Sequence, residues 1–242
     1  MTRRKRADVL LVERGLFESR TRAQAAIAAG LVTADGVRLK KASDEISADA
    51  ELNATSEHPW VSRGGVKLAA ALDHFGFKVD GRICLDIGAS TGGFTEVLLA
   101  RGATRVYAVD VGRGQLHARL REDKRVVSLE ATDIRALDPT AFNPLPDFAT
   151  VDVSFISLRL VLPALDPLLR NPGHLIALIK PQFEAGRDHV KKGVVRDPAV
   201  HAAVCEEVSA LAYSLGWTVP GITPSPIEGG SGNREFLMGA SR

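Results

Sequence analysis

From residue 60 onward, short apolar runs alternate with longer stretches in which apolar positions recur every three or four residues. The short runs are typical of buried strands, and the longer stretches are typical of amphipathic helices. Strands are predicted at residues 83–87, 106–109, 126–129, 149–153 and 175–179. Helices are predicted at residues 64–75, 95–101, 116–121, 158–169 and 198–215. This alternation predicts an α/β fold with a doubly wound, Rossmann-like parallel sheet.

The end of the chain breaks the alternation. Residues 217–222 and 234–238 are apolar, but the segment between them, PSPIEGGSGN, is rich in turn residues and leaves no room for a helix. We therefore expect these two strands to form an antiparallel hairpin at one edge of the sheet.

The first 56 residues have a different pattern. Two short helices are predicted at residues 7–14 and 20–29, the first ending at Gly15 and the second capped by Ser19. An Asp35-Gly36 turn between short apolar runs predicts a small hairpin. The polar stretch from residue 50 to 59 ends in proline and is interpreted as a linker. The expected organisation is an α+β domain at 1–56, a linker at 57–61 and a larger domain at 62–242.

Charge separates the same two parts. Residues 1–41 hold ten Lys/Arg against four Asp/Glu, whereas the rest of the chain is slightly acidic. A compact basic head is typical of a nucleic-acid-binding module, and its lack of aromatic residues other than Phe17 favours folded RNA over stacked single strands. The candidate RNA-binding residues are Arg3, Arg4, Arg6, Arg14, Arg20, Arg22, Lys41 and, in the larger domain, Arg63. The alternative is a solvated basic hairpin that only packs on the rest of the protein.

Composition narrows the class of protein. The chain is 45% hydrophobic and 25% charged, which is ordinary for a globular protein, and it has no apolar run of membrane-spanning length. The N-terminus lacks the uncharged core of a secretory signal, so we expect a cytoplasmic protein. Two cysteines, Cys84 and Cys205, do not suggest a disulfide framework, and no metal is required by the sequence.

A glycine-rich turn, GASTGG, follows the strand at residues 83–87 and opens a helix. Gly88, Gly92 and Gly93 allow close approach of a ligand to the backbone at a place where open α/β sheets bind nucleotides. A phosphate-binding P-loop would need Lys and Ser/Thr after its second glycine, but Phe94 follows Gly93. The G-x-G-x-x-G spacing of dinucleotide sites is also absent.

Acidic residues around this turn favour S-adenosylmethionine as the cofactor. Asp86 lies within the first strand, and Asp110 ends the next strand, where it could accept hydrogen bonds from a ribose diol. Asp133 could accept the adenine amino group, with Ile134 against the ring. Asp110 as a solvated strand end and Asp133 as a helix cap stay open as alternatives. The predicted cofactor-binding residues are Asp86, Gly88, Ser90, Gly92, Gly93, Phe94, Asp110, Asp133 and Ile134.

Two lysines and two carboxylates are expected at the same edge of the sheet. Asp152 ends the fourth strand, Lys180 ends the fifth, Glu235 opens the last, and Lys67 lies early in the first helix of the domain. A lysine can act as a base, and such a set is suited to removing a proton from a sugar hydroxyl. The segment after the fourth strand lacks both a nucleophilic cysteine and a Pro-Pro-aromatic run, which argues against pyrimidine C5 and amino-group methylation.

The order of motifs resembles a known family. The head pattern RGL-x-x-SR-x-x-A is similar to the alpha-L RNA-binding motif. The segments VSRGGVKL, LDIGASTGGFTE, VDVSFISL, IKPQFE and SGNREF together resemble the TlyA (hemolysin A-like) family of FtsJ-type ribose 2′-O-methyltransferases. The resemblance implies methylation of cytidine 2′-hydroxyls in ribosomal RNA within ribosomal subunits. It also implies a class I methyltransferase sheet, with Lys180 as the base and Lys67, Asp152 and Glu235 orienting the hydroxyl.

Several alternatives remain at this point. The large subunit is the expected substrate and the small subunit stays open as a second one. The longer members of the family act on both subunits and are extended at both ends, whereas this chain has their basic N-terminal stretch but ends soon after its last strand. A haemolytic protein, an RNA-binding protein with a decayed catalytic centre, and a small-molecule O-methyltransferase are the competing functions. The basic head argues against the last of these, and the intact set of four argues against the second.

Overall fold

The computed structural model describes residues 4–17, 19–54 and 58–242 and divides into two units, Met1–Pro59 and Trp60–Arg242. The second unit is built on a seven-stranded sheet with the strand order β11-β12-β10-β9-β6-β7-β8. Its strands are β6 (Ile83–Ile87), β7 (Arg105–Val109), β8 (Val126–Leu129), β9 (Phe148–Val151), β10 (His174–Ile179), β11 (Thr218–Pro224) and β12 (Phe236–Ser241). Strands β6 to β10 are parallel, and β12 runs antiparallel to both β10 and β11. The doubly wound sheet and its antiparallel edge hairpin are therefore confirmed.

The sheet separates two apolar cores because successive side chains of a strand point to opposite faces. In β6, Leu85 and Ile87 belong to one core, which also contains Val204 and Val208. Cys84, on the other face, packs with the second core. The parallel strands are buried on both sides and place their carboxyl ends along one edge of the sheet, where the candidate residues lie.

Helices cover both faces of this sheet. They are α3 (Gly64–Phe75), α4 (Gly93–Ala100), α5 (Ala118–Arg121), α6 (Leu158–Val161), α7 (Pro181–Glu184) and α8 (Pro198–Ser214). The single helix predicted at residues 158–169 is wrong in part, because α6 gives way to a 3₁₀ segment, Leu162–Leu168. Pro163 and Pro167 lack the backbone N–H that a continuous α-helix needs.

The first unit contains α1 (Ala7–Glu13) and α2 (Arg20–Ala28) with two small sheets. Its strands are β1 (Arg4–Arg6), β2 (Val32–Ala34), β3 (Val37–Arg38), β4 (Glu45–Ser47) and β5 (Leu52–Ala54). The Ser19 cap is confirmed, since its side chain accepts a hydrogen bond from the Arg22 N–H. Phe17 is buried in the core of this unit.

Two short strands of the first unit differ from the expectation. Leu52–Ala54 lies inside the stretch interpreted as linker, yet it forms β5 and pairs with β2. Arg4–Arg6 pairs with Glu45–Ser47 although its sequence is entirely basic. Three residues are too few for an alternating pattern to be recognised. Val61, within the expected linker at 57–61, is buried in the second unit, and the precise domain boundaries stay a prediction.

Candidate active site

The glycine turn between β6 and α4 is a tight bend. Gly88 has φ +79°, and a Cβ there would lie 2.3 Å from the backbone oxygen of Asp152. Gly92 has φ +97°, and a Cβ there would lie 2.2 Å from the Leu120 side chain. Both positions therefore require glycine for conformation and for space. The result is that the end of β9, with Asp152, lies directly against the turn.

The carboxyl group of Asp86, in β6, supports this turn by joining β6 to α4 and β9. Its carboxyl is fully buried and accepts hydrogen bonds from the hydroxyls of Thr95, at 2.6 Å, and Thr150, at 2.9 Å. Burial raises the pKa of Asp86 to about 7, because the neutral hydroxyls compensate only part of the lost hydration. Asp86 is not among the described residues that line the cavities beside the turn. Asp86 occupies a supporting position between β6, β9 and α4, and its contact with a cofactor stays a prediction.

Asp110 ties the end of β7 to the same turn. One carboxylate oxygen accepts the Ser90 N–H at 2.8 Å, and the other accepts the Gly112 N–H at 2.7 Å. Asp110 and Ser90 both line a cavity of about 810 Å³. Each carboxylate oxygen has a second lone pair, so these bonds leave acceptor capacity for a ligand hydroxyl.

The 810 Å³ cavity is large enough for a nucleoside, given the usual volume of ligand pockets. Ile134, which is buried, and Asp133 lie on its wall. The Asp133 carboxylate is paired with the Arg135 guanidinium and caps the following 3₁₀ turn, which lowers its pKa. Asp133 is therefore already engaged, and its predicted bond to adenine stays a prediction.

A second cavity of about 370 Å³ adjoins the first, since Gly88, Ser90 and Asp152 line both. Phe94, Gly93 and Lys67 complete part of its wall. Arg63, a predicted RNA-binding residue, also lines it and lies next to the start of α3. The structure thus brings the glycine turn together with two of the four predicted reacting side chains.

The four predicted reacting residues form two ion pairs. Lys67 Nζ donates to Glu235 Oε2, and both side chains are buried, with 9% and 3% of their surface exposed. A Cβ at Gly229 would lie 1.9 Å from Glu235 Oε1, so the loop before β12 wraps tightly around this carboxylate. A buried lysine and a buried carboxylate in contact neutralise each other's charge.

Lys180 and Asp152 form the second pair. Lys180 Nζ lies 2.6 Å from Asp152 Oδ1 and donates to the Ser154 hydroxyl at 3.0 Å. The contact with Asp152 is one of charge, because among the described residues this buried oxygen accepts no hydrogen bond of acceptable geometry. Lys67 and Asp152 share the smaller cavity, so one member of each pair borders the same space. Such a site can take up a proton and stabilise the cation that results.

Most of the basic residues predicted to bind RNA in the first unit also hold the unit together. Arg6 and Arg20 both donate to the buried carboxylate of Asp8, yet their side chains are 46% and 55% exposed. Arg14 Nη1 donates to the Ala50 carbonyl at 2.7 Å. Of the remaining candidates, Arg4 Nη2 donates to the Glu45 carbonyl, Arg22 lies in the first turn of α2, and Lys41 is exposed. Arg3 lies outside the described residues.

Three buried polar side chains near the predicted site, those of Thr95, Thr150 and Asn233, were not singled out from the sequence. Thr95 and Thr150, which hold Asp86, lie on different elements and carry no motif of their own. Asn233, which is 3% exposed, belongs to the SGNREF segment, but only Glu235 was singled out there. Its place two residues before Glu235 was the available clue.

Two kinds of feature are absent from the part of the chain that the structure describes. In residues 4–17, 19–54 and 58–242, no helix has the length and apolar character needed to cross a membrane. The same ranges contain no group of three or more His, Cys, Asp and Glu side chains that could hold a metal ion.

Comparison with known families and proteins gives matches over the whole chain. Residues 60–242 match the model of the FtsJ-like methyltransferase family, and residues 5–52 match the S4 domain. The chain is 48% identical over 241 residues to the 16S/23S rRNA (cytidine-2′-O)-methyltransferase TlyA of Mycobacterium tuberculosis, covering 98% of this chain and 90% of the relative. It is 40% identical to Hemolysin A of Brachyspira hyodysenteriae, covering 96% and 98%. A solved structure of a candidate hemolysin from Streptococcus thermophilus matches with 47% identity and a TM-score of 0.79, covering 100% and 90%.

Proposed function

This chain belongs to the TlyA, or hemolysin A-like, family of FtsJ-like methyltransferases, and on that premise we propose that it methylates the 2′-hydroxyl of cytidine in ribosomal RNA. S-adenosylmethionine is the methyl donor. The relative from M. tuberculosis is named for action on both 16S and 23S rRNA. The proposed substrate is 23S rRNA in the large subunit, with 16S rRNA as the second substrate to be tested.

The arrangement of two lysine–carboxylate pairs beside the glycine turn carries this proposal. Each of the pairs Lys67–Glu235 and Lys180–Asp152 has one member on the wall of the 370 Å³ cavity, which shares lining residues with the cavity of nucleoside size. The larger cavity combines an apolar wall residue, Ile134, with a carboxylate at a strand end, Asp110. These residues would suit an adenosine-containing cofactor, which would supply the methyl group.

The reaction requires removal of a proton from a weakly acidic ribose hydroxyl. Lys180 first releases a proton from its ammonium to solvent and then accepts the hydroxyl proton at Nζ, and Asp152, 2.6 Å away, stabilises the ammonium that forms again. When bound, S-adenosylmethionine supplies a methyl group on a sulfonium, which leaves as a neutral thioether. The ribose oxygen gains the methyl group as it loses its proton, so charge and atoms balance.

Lys67 and Glu235 have a positioning role in this proposal. Their buried contact fixes the Lys67 ammonium on the cavity wall, where it can donate to the ribose oxygen. Correct placement of reacting groups contributes a large share of the rate of a direct transfer. The basic S4 unit supplies affinity for folded rRNA through phosphate contacts. Ribosomal RNA as substrate implies action in the cytoplasm.

Transfer of labelled methyl from S-adenosylmethionine to isolated 30S and 50S subunits, with the product mapped by mass spectrometry, tests the proposal. We expect 2′-O-methylcytidine in the 50S subunit. Lys180→Ala should lower kcat by about a thousandfold through loss of the base and leave the Kd for the cofactor within about twofold. Lys124→Ala, which removes an exposed lysine, is the matched control. An unlabelled rRNA would refute the function, whereas lost cofactor binding in Lys180→Ala would refute only the role of Lys180.

A further inference from the structure

Asn233 is a buried amide that joins two loops beside the candidate active site. Its side-chain oxygen accepts the Val195 N–H at 3.3 Å, and its side-chain nitrogen donates to the carbonyls of Gly193, at 2.9 Å, and Gly230, at 3.1 Å. Only 3% of the residue is exposed. One side chain therefore bonds to backbone groups of both loops, and one of these groups, the Val195 N–H, belongs to a buried residue.

The first of these loops carries a tight turn, Lys191–Val194. The N–H of each end residue donates to the carbonyl of the other, at 3.0 and 3.1 Å. Both central residues have positive φ, +53° at Lys192 and +78° at Gly193, which is the geometry of a type I′ turn. Val194 and Val195 are buried, so the turn is anchored from below while Lys191 and Lys192 are exposed.

The buried base of this turn has a second anchor. His201 of α8 contacts the Val195 carbonyl through Nε2 at 3.0 Å, and His201 is itself buried. Asn233 and His201 thus hold Val195 from two directions. Arg187 and Arg196, which flank the turn, are exposed and positively charged, and each has an exposed aspartate next to it in the chain, Asp188 and Asp197.

The second loop holds the carboxylate of Glu235. The Asn233 carbonyl accepts the Gly229 N–H at 2.9 Å, which closes the loop, and the Glu235 carbonyl accepts the Ser225 N–H at 2.8 Å. The Glu235 carboxylate occupies the space where a Gly229 side chain would lie. Any displacement of this loop therefore displaces the carboxylate that holds Lys67.

We propose that Asn233 is a positioning residue that sets the lysine-bearing turn, Lys191–Val194, in fixed register with the Glu235–Lys67 pair. The exposed lysines of the turn contact phosphates of the RNA next to the target nucleotide. Phosphate contacts fix the register of a nucleic acid without reading its sequence. Through Asn233, that register is transmitted to the side chains that meet the ribose. This inference rests on the proposed function.

An amide is needed for this role because the link requires one acceptor and two donors at the same site. Aspartate has the same shape but only acceptors at neutral pH, so Asn233→Asp would set a carboxylate oxygen against the Gly193 and Gly230 carbonyls. The two loops should separate locally. The glycine turn and the 810 Å³ cavity are lined by other residues, so cofactor binding should be preserved.

A double-mutant cycle on kcat for rRNA methylation separates positioning from general stability. We expect Asn233→Asp to lower kcat about thirtyfold and the double variant Lys191→Ala/Lys192→Ala to lower it about tenfold. In both cases the cause is loss of the register between the RNA and the active site. The triple variant should have the kcat of Asn233→Asp alone, because the lysines no longer act on the centre. Cofactor Kd, measured by calorimetry, should stay within about twofold in every variant.

If Asn233→Asp and the two lysine substitutions acted independently, their losses of kcat would multiply to about three hundredfold in the triple variant. That result would overturn the inference. An unchanged kcat in Asn233→Asp would overturn it as well. Val208→Ala, a core change in α8, is the control for lost stability and should leave kcat unchanged at a temperature where the variant is folded. If Asn233→Asp does not fold, Asn233→Ser takes its place, because a hydroxyl keeps one donor and one acceptor. Absence of rRNA methylation by the unmodified chain would instead refute the proposed function itself.

Discussion

Asp8 in the first unit and Asp86 in the second are both fully buried carboxyls, yet their environments drive their pKa values in opposite directions. Asp8 is surrounded by two guanidinium groups, from Arg6 and Arg20, and by the Gln24 amide. These hold its pKa well below the usual range. Asp86 has only the hydroxyls and a backbone N–H of threonines, and burial raises its pKa to about 7.

The difference shows that burial alone does not determine the charge of a carboxyl. Loss of hydration disfavours the charged form in both places, but opposite charges in contact with Asp8 outweigh this cost. Asp8 is thus a fixed anion that organises two exposed arginines. Asp86 is close to half-protonated at neutral pH, and its main contacts brace the glycine turn.

The largest expected effect is the pH dependence of stability caused by Asp86. Its folded pKa lies above its unfolded pKa of about 3.9, so the folded state binds an extra proton between pH 4 and 7. Stability should therefore fall as the pH rises through this window, by up to about 4 kcal/mol, and stay level above it. Asp86→Asn should remove this slope. The stability of the variant relative to the unmodified chain should therefore be higher at pH 8 than at pH 4.

Urea unfolding followed by tryptophan fluorescence measures this slope. Both tryptophans, Trp60 and Trp217, belong to the second unit, so their signal reports on the unit that contains Asp86. Asp80→Asn, a change at an exposed acid, should keep the slope of the unmodified chain. An equal slope in Asp86→Asn would show that Asp86 is ionised throughout and that the contrast with Asp8 is wrong.

A smaller effect of the opposite sign is expected for Asp8. Its stabilising contribution is present above its unfolded pKa of about 3.9 and is lost as the pH falls through its lower folded pKa. Asp8→Asn should therefore cost about 2 kcal/mol at pH 7, since the arginines it pairs with stay partly hydrated. The cost should shrink below pH 3.

Hydrogen exchange of the α1 and α2 amides measures this cost, because the first unit contains no tryptophan. Affinity for rRNA should fall at the same time, since Arg6 and Arg20 lose their common anchor. Asp49→Asn, at an exposed position of the same unit, serves as the comparison. A cost that persists unchanged to pH 2 would mean that the Asp8 charge is not what stabilises the helices.

The sequence was sufficient to predict the elements whose periodicity extends over several residues. The parallel strands follow from their apolar runs, and the meeting of Asp152 with Lys180 follows from the rule that parallel strands end at one edge. Gly88 and Gly92 could be recognised as glycines of a tight turn because their loop joins a predicted strand to a predicted helix. The Lys67–Glu235 pair was expected only as proximity, whereas its burial depends on how the loop at Gly229 folds.

Contacts between distant segments could not be predicted from one sequence. Thr150 reaches Asp86 across neighbouring strands, with 64 residues between them in the chain. Asn233 likewise bonds to Gly193, 40 residues earlier. A threonine or asparagine has the same appearance in the sequence whether it faces water or a buried partner, so its role emerges only once the sheet has brought the segments together.

The smallest expected effect concerns the reactivity of the two free cysteines, Cys84 and Cys205. Burial raises the pKa of Cys205 to about 11, and the pKa of Cys84 higher still. At pH 8 the thiolate fraction of Cys205 is about 200-fold below that of free cysteine, and its greater intrinsic nucleophilicity recovers about tenfold. Iodoacetamide should therefore modify Cys205 about 20-fold more slowly than free cysteine, and Cys84 more slowly again. Mass spectrometry of the time course measures both rates. Rapid labelling of Cys84 would show that the core beside Asp86 admits water. Burial could then no longer be the cause of the raised pKa values of Cys84 and Asp86.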